Sequence, residues 1–205
     1  GIIYPIEMGW QWGGGWLSAA GFSDFAGSTL VHGAGGAAAL AGAIVLGPRL
    51  GRYDNGKLVP FASSSIPLAT AGTFILWFGW FGFNGGSQLA MGTFDDVNAV
   101  GTIYINTNLA AAGGVLTAAV ITRLWKGKTD VVMMLNGALG GLVAITAEPL
   151  APTPGLAIMI GAAGGVVIVF GTELLNNLKI DDVVGAIPVL SLIHISEPTR
   201  PREIA

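Results

Sequence analysis

Cysteine is absent from this sequence of 205 residues, and charged residues make up only 10% of it. The first absence excludes disulfide bonds and metal sites built on thiolates. The second separates the chain from soluble globular domains, in which about a quarter of the residues are charged. Lysine and arginine together number only 9, without the basic patch that nucleic-acid binding requires. We therefore expect a membrane protein that binds no nucleic acid, metal or cofactor.

Apolar residues make up 52% of the chain, and they fall into long runs. A helix crosses the bilayer core of about 30 Å with about 20 mainly apolar residues. The runs predict an all-α, polytopic transmembrane helix bundle, with partial spans before Met8 and after Asp182. The predicted full spans are Phe25–Leu46, Ile66–Gly86, Val97–Trp125, Val131–Leu150 and Leu156–Leu175.

The loops between these spans alternate in charge. The loops on one side carry every lysine and arginine before residue 190, and the opposite loops carry acids without any basic residue. Because cytoplasmic loops are enriched in lysine and arginine, the basic side is predicted to be cytoplasmic. The basic residues are Arg49, Arg52, Lys57, Arg123, Lys126, Lys128 and Lys179, and the acids are Asp95, Asp96 and Glu148.

An acid and a histidine open the first full span, in the stretch Asp24-Phe-Ala-Gly-Ser-Thr-Leu-Val-His32. An ionisable side chain inside a membrane helix is costly, so it usually faces a cavity or partner and marks a substrate or proton path. Two plainer interpretations stay open. Asp24 also suits a helix N-cap, which is worth about 1 kcal/mol, and His32 also suits a buried ring satisfied by a neighbouring backbone or hydroxyl group.

Glycines recur at three- and four-residue spacing in three of the spans. Small residues at this spacing let helix backbones approach closely, so we expect a compact multi-helix bundle. The glycines are Gly33, Gly35, Gly36, Gly42, Gly137, Gly140, Gly141, Gly161, Gly164 and Gly165.

Four further motifs accompany the Asp24–His32 stretch: Tyr4-Pro5, Trp12-Gly-Gly-Gly-Trp16, Gly79-Trp-Phe-Gly-Phe-Asn-Gly-Gly-Ser87 and Ile180-Asp-Asp-Val-Val-Gly-Ala-Ile-Pro-Val189. Together these motifs resemble the ammonium transporter family (Amt/Mep/Rh), in its bacterial and plant Amt form. The resemblance covers residues 1–189, which correspond to the end of the fourth helix into the tenth of eleven. It implies an inverted-repeat fold and a homotrimer in the lipid bilayer, with a narrow pore in each subunit.

The resemblance also implies roles around the outer mouth of the pore. Trp12 recruits ammonium by a cation–π contact, worth about 0.5–2 kcal/mol, and Ser87 accepts a hydrogen bond from the ion. Phe83 matches the inner phenylalanine of the gate, and Trp80 flanks the pore near the histidine. Taken alone, Trp12 is equally an interfacial anchor, Ser87 a loop residue and Phe83 a packing residue.

His32 matches one of the paired pore histidines of the family, and Asp24 supports the recruitment site. An apolar pore cannot cheaply carry bare ammonium, because desolvating a charge costs several kcal/mol. Imidazoles hydrogen-bond ammonia and pass a proton. The implied mechanism is deprotonation near the mouth, followed by passage of ammonia and a proton; methylammonium is the substrate analogue.

The family resemblance further implies a cytoplasmic PII-type regulatory protein as partner. It would dock on the basic loops, at Arg49–Lys57 and Arg123–Lys128, although the positive-inside bias explains these residues equally well. We expect a multi-pass protein of the bacterial inner membrane.

The end of the sequence departs from the family. The second pore histidine should follow Asp182 by eight residues, where the chain has Leu190, and residues 190–205 lose all resemblance. That stretch is similar to translated sequencing-adapter DNA. We interpret residues 1–189 as a partial ammonium-transporter transmembrane domain and 190–205 as a non-native tail, in which His194 has no role. We expect the fragment by itself neither to fold stably in lipid nor to transport.

Three alternatives compete with the transporter interpretation. The first is an ammonium sensor of the same fold that signals to a cytoplasmic partner. The second is an intramembrane hydrolase using Asp24 or the pair Asp181-Asp182, but no Ser/His/Asp set or metal-ligand cluster in residues 1–189 supports an enzyme. The third is a helical bundle without a transport role. We predict a transporter and not an enzyme.

Overall fold

The computed structural model describes residues 1–192, so His194 and the rest of the predicted tail beyond residue 192 lie outside the described residues. Within residues 1–192 the fold is helical apart from one short hairpin, which confirms the predicted all-α class. The elements are α1 (Ile3–Gln11), α2 (Trp16–Ala19), α3 (Ala34–Leu46), β1 (Tyr53–Asp54), β2 (Lys57–Leu58), α4 (Ile66–Gly86), α5 (Phe94–Lys126), α6 (Val131–Ile145) and α7 (Pro154–Asn177).

Two π-helical segments interrupt the α-helices. The first π segment, Ser28–Gly33, leads directly into α3, and the second, Pro188–Leu192, follows the loop after α7. π-helical turns are rare and occur frequently at functional sites. Both segments come shortly after an aspartate, Asp24 in one case and Asp182 in the other.

Local sequence explains where the long helices begin. The side chains of Ser65 and Thr153 each accept a backbone N–H, and a proline lies in the first turn of the helix that follows. Thr93 and Asp96 form a capping box at the start of α5, and Asp130 caps α6. Such caps satisfy N–H groups that the helix leaves without partners, and each is worth about 1 kcal/mol.

The core lies where α5, α6 and α7 cross, because glycines bring these backbones into contact. A Cβ added to Gly137 would lie 2.6 Å from the carbonyl oxygen of Gly114, and one added to Gly164 would lie 2.7 Å from that of Gly140. Backbones this close leave no room for a side chain. The predicted packing role of the glycines in α6 and α7 is confirmed.

In α3 the glycine prediction is only partly right. A Cβ added to Gly36 would lie 2.6 Å from the backbone nitrogen of Ser191, so this glycine does permit a close approach. At Gly35 and Gly42, a Cβ would meet nothing within 4 Å among the described residues. The packing role predicted for those two is not seen among the described residues, because α3 turns only its Gly36 face towards the rest of the described chain.

The fourth predicted span is also wrong in length. α6 has 15 residues, or about 22 Å, and ends well before Leu150. The backbone that follows α6 is hydrogen-bonded by the segment before the first π segment. The N–H of Phe25 donates to the carbonyl of Ala147 at 2.8 Å, and the N–H of Ala26 donates to the carbonyl of Thr146 at 3.2 Å. Non-helical backbone is tolerated in a membrane protein where other groups satisfy it, so the helix ends early.

Four helical stretches of the described residues are long and apolar enough to cross a membrane. The first combines the first π segment with α3, and the shorter α6 is packed among the others. The four agree with four of the five predicted spans, with ends that differ by a few residues. They are Ser28–Leu46, Ile66–Gly86, Phe94–Lys126 and Pro154–Asn177.

Candidate functional site

The Asp24 carboxylate organises the entry to the first π segment. One oxygen accepts the backbone N–H groups of Gly27 and Ser28 at 2.9 and 2.8 Å, and the other accepts those of Thr29 and Leu30 at 2.9 and 3.0 Å. Asp24 is buried, and Gly27 has a φ of 102°, which a side chain would disfavour. Asp24 therefore does more than a single N-cap, since it holds a whole turn of backbone donors. We call this arrangement the Asp24 turn.

A second turn of the same construction precedes the second π segment. The Asp182 carboxylate accepts the N–H groups of Gly185 and Ala186, each at 3.0 Å, and that of Ile187 at 2.7 Å. Gly185 has a φ of 79° and follows Asp182 by the same three residues that separate Gly27 from Asp24. Leu190 follows Asp182 by eight residues, the same separation as that of His32 from Asp24. Leu190 therefore occupies the position in the second π segment that His32 occupies in the first.

His32 is half-buried near the end of the first π segment and belongs to an aromatic cluster with Trp80 and Phe83. Its ring stacks on Trp80 with 5.0 Å between centroids and an interplanar angle of 24°. The Phe83 ring lies 5.3 Å from His32 and 5.7 Å from Trp80. The structure thus brings three of the predicted site residues into contact and fixes the plane of the imidazole.

A buried hydrogen-bond network holds Trp80 in place. Its indole N–H donates to the Thr146 hydroxyl at 2.8 Å, and that hydroxyl lies 2.7 Å from the carbonyl of Leu142. The Asn84 amide oxygen lies 3.2 Å from the same hydroxyl, and the Asn84 amide nitrogen donates to Thr107 at 3.0 Å. The network joins α4, α5 and the end of α6 behind the aromatic cluster.

Sequence reasoning missed Asn84, Thr107 and Thr146. All three are fully or almost fully buried. The signal that could have found them is a polar side chain inside an apolar span, the same signal that drew attention to His32. This signal is weaker for the two threonines, because a threonine hydroxyl in a membrane helix commonly donates a hydrogen bond to a carbonyl of the preceding turn.

The two residues of the predicted outer site are held separately. The indole N–H of Trp12 donates to the backbone carbonyl of Asp24 at 2.8 Å, while the residue as a whole remains 42% exposed. The Ser87 hydroxyl, at the end of α4, donates to the carbonyl of Phe83 at 2.8 Å. No hydrogen bond or ring contact links Trp12 with Ser87 in the described part of the chain. Trp12 is therefore tied to the Asp24 turn and Ser87 to the aromatic cluster.

Leu190 also packs against the core near Trp80. It packs against a buried apolar cluster that includes Trp80, Leu142 and Val189. The backbone that follows it touches Gly36, so the two π segments lie against each other beside α3. Among residues 1–192, no group of three or more His, Asp or Glu side chains is arranged to hold a metal ion.

Known proteins are similar to this chain in sequence and in fold. The profile of the Ammonium Transporter Family matches residues 1–192. The chain is similar to ammonium transporter Amt2 of Archaeoglobus fulgidus, with 48% identity over 201 residues, and to ammonium transporter 1 member 1 of Arabidopsis thaliana, with 39% identity over 201 residues. Its fold is similar to a sensor Amt protein at a TM-score of 0.88 with 41% identity, and to Mep2 of Candida albicans at 0.83 with 34% identity.

These matches cover most of this chain but less than half of each relative. They include 92% of the chain and 42% of the Archaeoglobus protein, and 89% and 40% for the Arabidopsis protein. For the structures, they include 95% of the chain and 49% of the sensor protein, and 94% and 42% for Mep2. The chain thus spans about half the length of the relatives that it matches.

Proposed function

From the premise that the chain belongs to the Ammonium Transporter Family, we propose that it forms part of a membrane pore that conducts ammonium or ammonia. The chain is a multi-pass membrane protein. The observation that carries the proposal is the position of His32 in a π-helical segment, where its ring stacks on Trp80 and contacts Phe83 at a tilt. An imidazole held against two aromatic rings in an apolar bundle suits the passage of a small nitrogen base and a proton.

Conduction begins at the outer mouth, where the ring of Trp12 and the hydroxyl of Ser87 bind ammonium. Aromatic faces attract small cations by about 0.5–2 kcal/mol, depending on desolvation. Both residues keep part of their surface exposed, so a hydrated ion reaches them. The hydrogen bond from Trp12 to Asp24 connects this recruitment site to the Asp24 turn.

Passage inward requires loss of the proton. Phe83 closes the entrance, and because an unpaired charge in an apolar interior costs several kcal/mol, ammonia and the proton travel separately beyond it. His32 hydrogen-bonds ammonia and passes the proton, a task for which an imidazole is suited near neutral pH. Trp80 orients the imidazole by stacking, and Asp24 shapes the turn that presents it.

We propose a homotrimer in the bacterial inner membrane, regulated by a PII-type protein that docks on the cytoplasmic loops. The contacts of the basic residues indicate which of them are available to bind such a partner. Arg49 and Arg52 are already bound to Asp181, whereas Lys57 and Lys128 are exposed. The two lysines are thus the better candidates for that contact.

Ammonium sensing is the second candidate function. It is favoured by the likeness to the structure described as a sensor Amt protein, with a TM-score of 0.88 over 95% of this chain. A sensor binds ammonium at the outer site and transmits the event to a cytoplasmic partner. Transport and sensing differ in whether substrate accumulates inside the cell.

The test is methylammonium uptake by a chimera, in which residues 1–192 of this chain replace the matched segment of Archaeoglobus Amt2. We expect saturable uptake, inhibited by ammonium, in a host without its own ammonium transporters. The unmodified Amt2 and an empty vector are the controls. A chimera that assembles in the membrane but does not take up methylammonium would contradict the transport proposal, and ammonium binding without uptake would favour sensing.

The position of Leu190 after the Asp182 turn gives a second prediction. We propose that the transporter sequence of this chain extends only to Val189, as part of a larger domain, and that a histidine in place of Leu190 restores a second pore imidazole. The substitution Leu190→His in the chimera should raise the uptake rate by about tenfold, which is less than the roughly 100-fold or more of a single positioned proton acceptor because His32 already supplies one imidazole. Leu190→Gln is the matched control, because glutamine is polar but does not transfer protons. Equal uptake by the two variants would count against the proposed role.

A further inference from the structure

A cluster of Arg49, Arg52 and Asp181 (the Arg–Asp cluster) lies on the side predicted to be cytoplasmic. Arg49 donates to the Asp181 carboxylate from Nε at 2.6 Å, from Nη2 at 2.8 Å and from its backbone N–H at 3.0 Å. Arg52 adds its Nε at 3.2 Å from the same carboxylate. A guanidinium that meets a carboxylate through two nitrogens fixes its orientation as well as its distance.

Asp181 is buried inside this cluster, with only 2% of its side chain exposed. Hydrogen bonds from Arg49, together with the charges of Arg49 and Arg52, lower the pKa of Asp181 to about 2 although burial raises it. The carboxylate is therefore ionised at neutral pH. Because a buried charge is tolerated only when it is paired, Asp181 stays bound to its arginines.

The loop after α3 wraps around this ion pair. The Phe61 ring lies 4.9 Å from the guanidinium carbon of Arg49 and 5.8 Å from that of Arg52. Arg52 also donates to the carbonyl of Val59 at 3.1 Å and to the side chain of Asn176, at the end of α7, at 3.4 Å. The cluster thus joins α3, its following loop and α7.

The cluster also connects the two π segments. Arg49 follows α3, which continues the first π segment, and Asp181 directly precedes Asp182, whose turn opens the second. The second π segment then returns to α3, where Ser191 packs against Gly36. The second π segment and α3 are therefore linked twice, once by the Arg–Asp cluster and once by the contact of Ser191 with Gly36. A cavity of about 600 Å³ between α3 and the Asp182 turn is lined by both Arg49 and Asp181.

We propose that the Arg–Asp cluster is a positioning device that sets the distance between α3 and the second π segment, and thereby the rate of conduction at the inner end of the pore. This inference rests on the proposed function. The positive-inside rule requires only that cations lie in the loop, and lysine satisfies it as well as arginine. The paired hydrogen bonds to a buried carboxylate require arginine.

Uptake by the chimera is the first test. Asp181→Asn removes the charge with little change in shape and should lower the maximal rate by about tenfold, with a half-saturation concentration changed by less than about twofold, because recruitment is at the opposite mouth. Arg49→Lys keeps the charge but loses the paired hydrogen bonds and should also lower the rate. Asp54→Asn, the same change at an exposed position of the loop that carries Arg49, is the control and should have no effect.

Thiol labelling is the second test and does not depend on transport. The chain has no cysteine, so Val189→Cys introduces one buried thiol in the second π segment, once any cysteines in the Amt2 part are replaced. Val189 is 5% exposed, and we expect slow reaction with a membrane-permeant maleimide. Asp181→Asn or Arg49→Lys should speed the reaction by about tenfold, since protection reflects local opening, while Asp54→Asn should not.

The two readouts separate the inference from the proposed function. An unsubstituted chimera that assembles without uptake overturns transport, and labelling still decides whether the cluster positions the second π segment. Unchanged labelling in both Asp181→Asn and Arg49→Lys overturns the inference, as does an unchanged maximal uptake rate in both. If Asp181→Asn fails to assemble, the labelling and uptake of Arg49→Lys alone test the inference, because this variant keeps the charge of the cluster.

Discussion

Replacing His32 with alanine should reduce methylammonium uptake by the chimera at least about 100-fold, the lower range for losing a positioned proton-transfer group. The effect is large because His32 is the only histidine in residues 1–192, so no second imidazole takes over the proton. The packing loss is small by comparison. The contacts of the ring with Trp80 and Phe83 are worth about 1 kcal/mol, so we expect assembly to persist.

The measurement is initial uptake rate divided by the amount of assembled protein in the membrane. Val31→Ala is the matched control, because it shortens the preceding side chain in the same π segment and leaves the aromatic cluster untouched. Uptake by His32→Ala at the level of Val31→Ala would contradict a pore role for His32. Loss of assembly in His32→Ala would instead favour the interpretation of a buried structural histidine.

Gly161→Ala should abolish assembly of the folded chain, the largest stability effect we expect from a single methyl group. A Cβ at Gly161 would overlap the backbone of Ala110 in α5, and backbone atoms at a helix crossing cannot rotate away as a side chain can. Overpacking of a core usually costs about 1–3 kcal/mol, occasionally more. We expect the upper end, since the same carbonyl of Ala110 also touches Gly141 of α6, so three helices must separate together.

Gly101→Ala is the matched control for this prediction. It is also a helix-interior glycine, but a Cβ there meets nothing within 4 Å among the described residues. Alanine favours the helix by about 1 kcal/mol over glycine, so this variant should be neutral or slightly stabilised. The readout is the fraction of detergent-solubilised chimera that runs as a single species before and after heating. Equal fractions for the two variants would show that the α5–α7 crossing tolerates a larger separation.

Much of the architecture could be predicted from the sequence, because length and hydropathy determine which helices can cross a bilayer. α4, α5 and α7 follow their predicted runs closely. The end of α6 could not be predicted, since it depends on hydrogen bonds from Phe25 and Ala26, residues far away in the chain. The π segments could not be predicted either, because a helix with apolar residues on every face shows no hydrophobic periodicity from which its type could be inferred.

The candidate site shows the same division. The sequence singles out His32, Trp80 and Phe83, and the structure brings them together. It does not reveal that Trp12 is bonded to the Asp24 carbonyl, or that Asn84 and Thr146 fix Trp80 from behind. These contacts join residues of different elements, and side-chain type and spacing alone carry no information on them. The roles of the site residues in conduction remain our proposals.

The two Asp turns have a consequence for the direction of flow. They share the same backbone construction, and the alternation of charged loops predicts that one opens outward and the other inward. If two equivalent turns lie at the two ends of the pore, the backbone of the turns itself does not favour flow in one direction over the other. On the proposed function, any preference for import over export therefore has to come from the unlike surroundings of the turns, with an aromatic ring, Trp12, at one end and partly exposed arginines at the other.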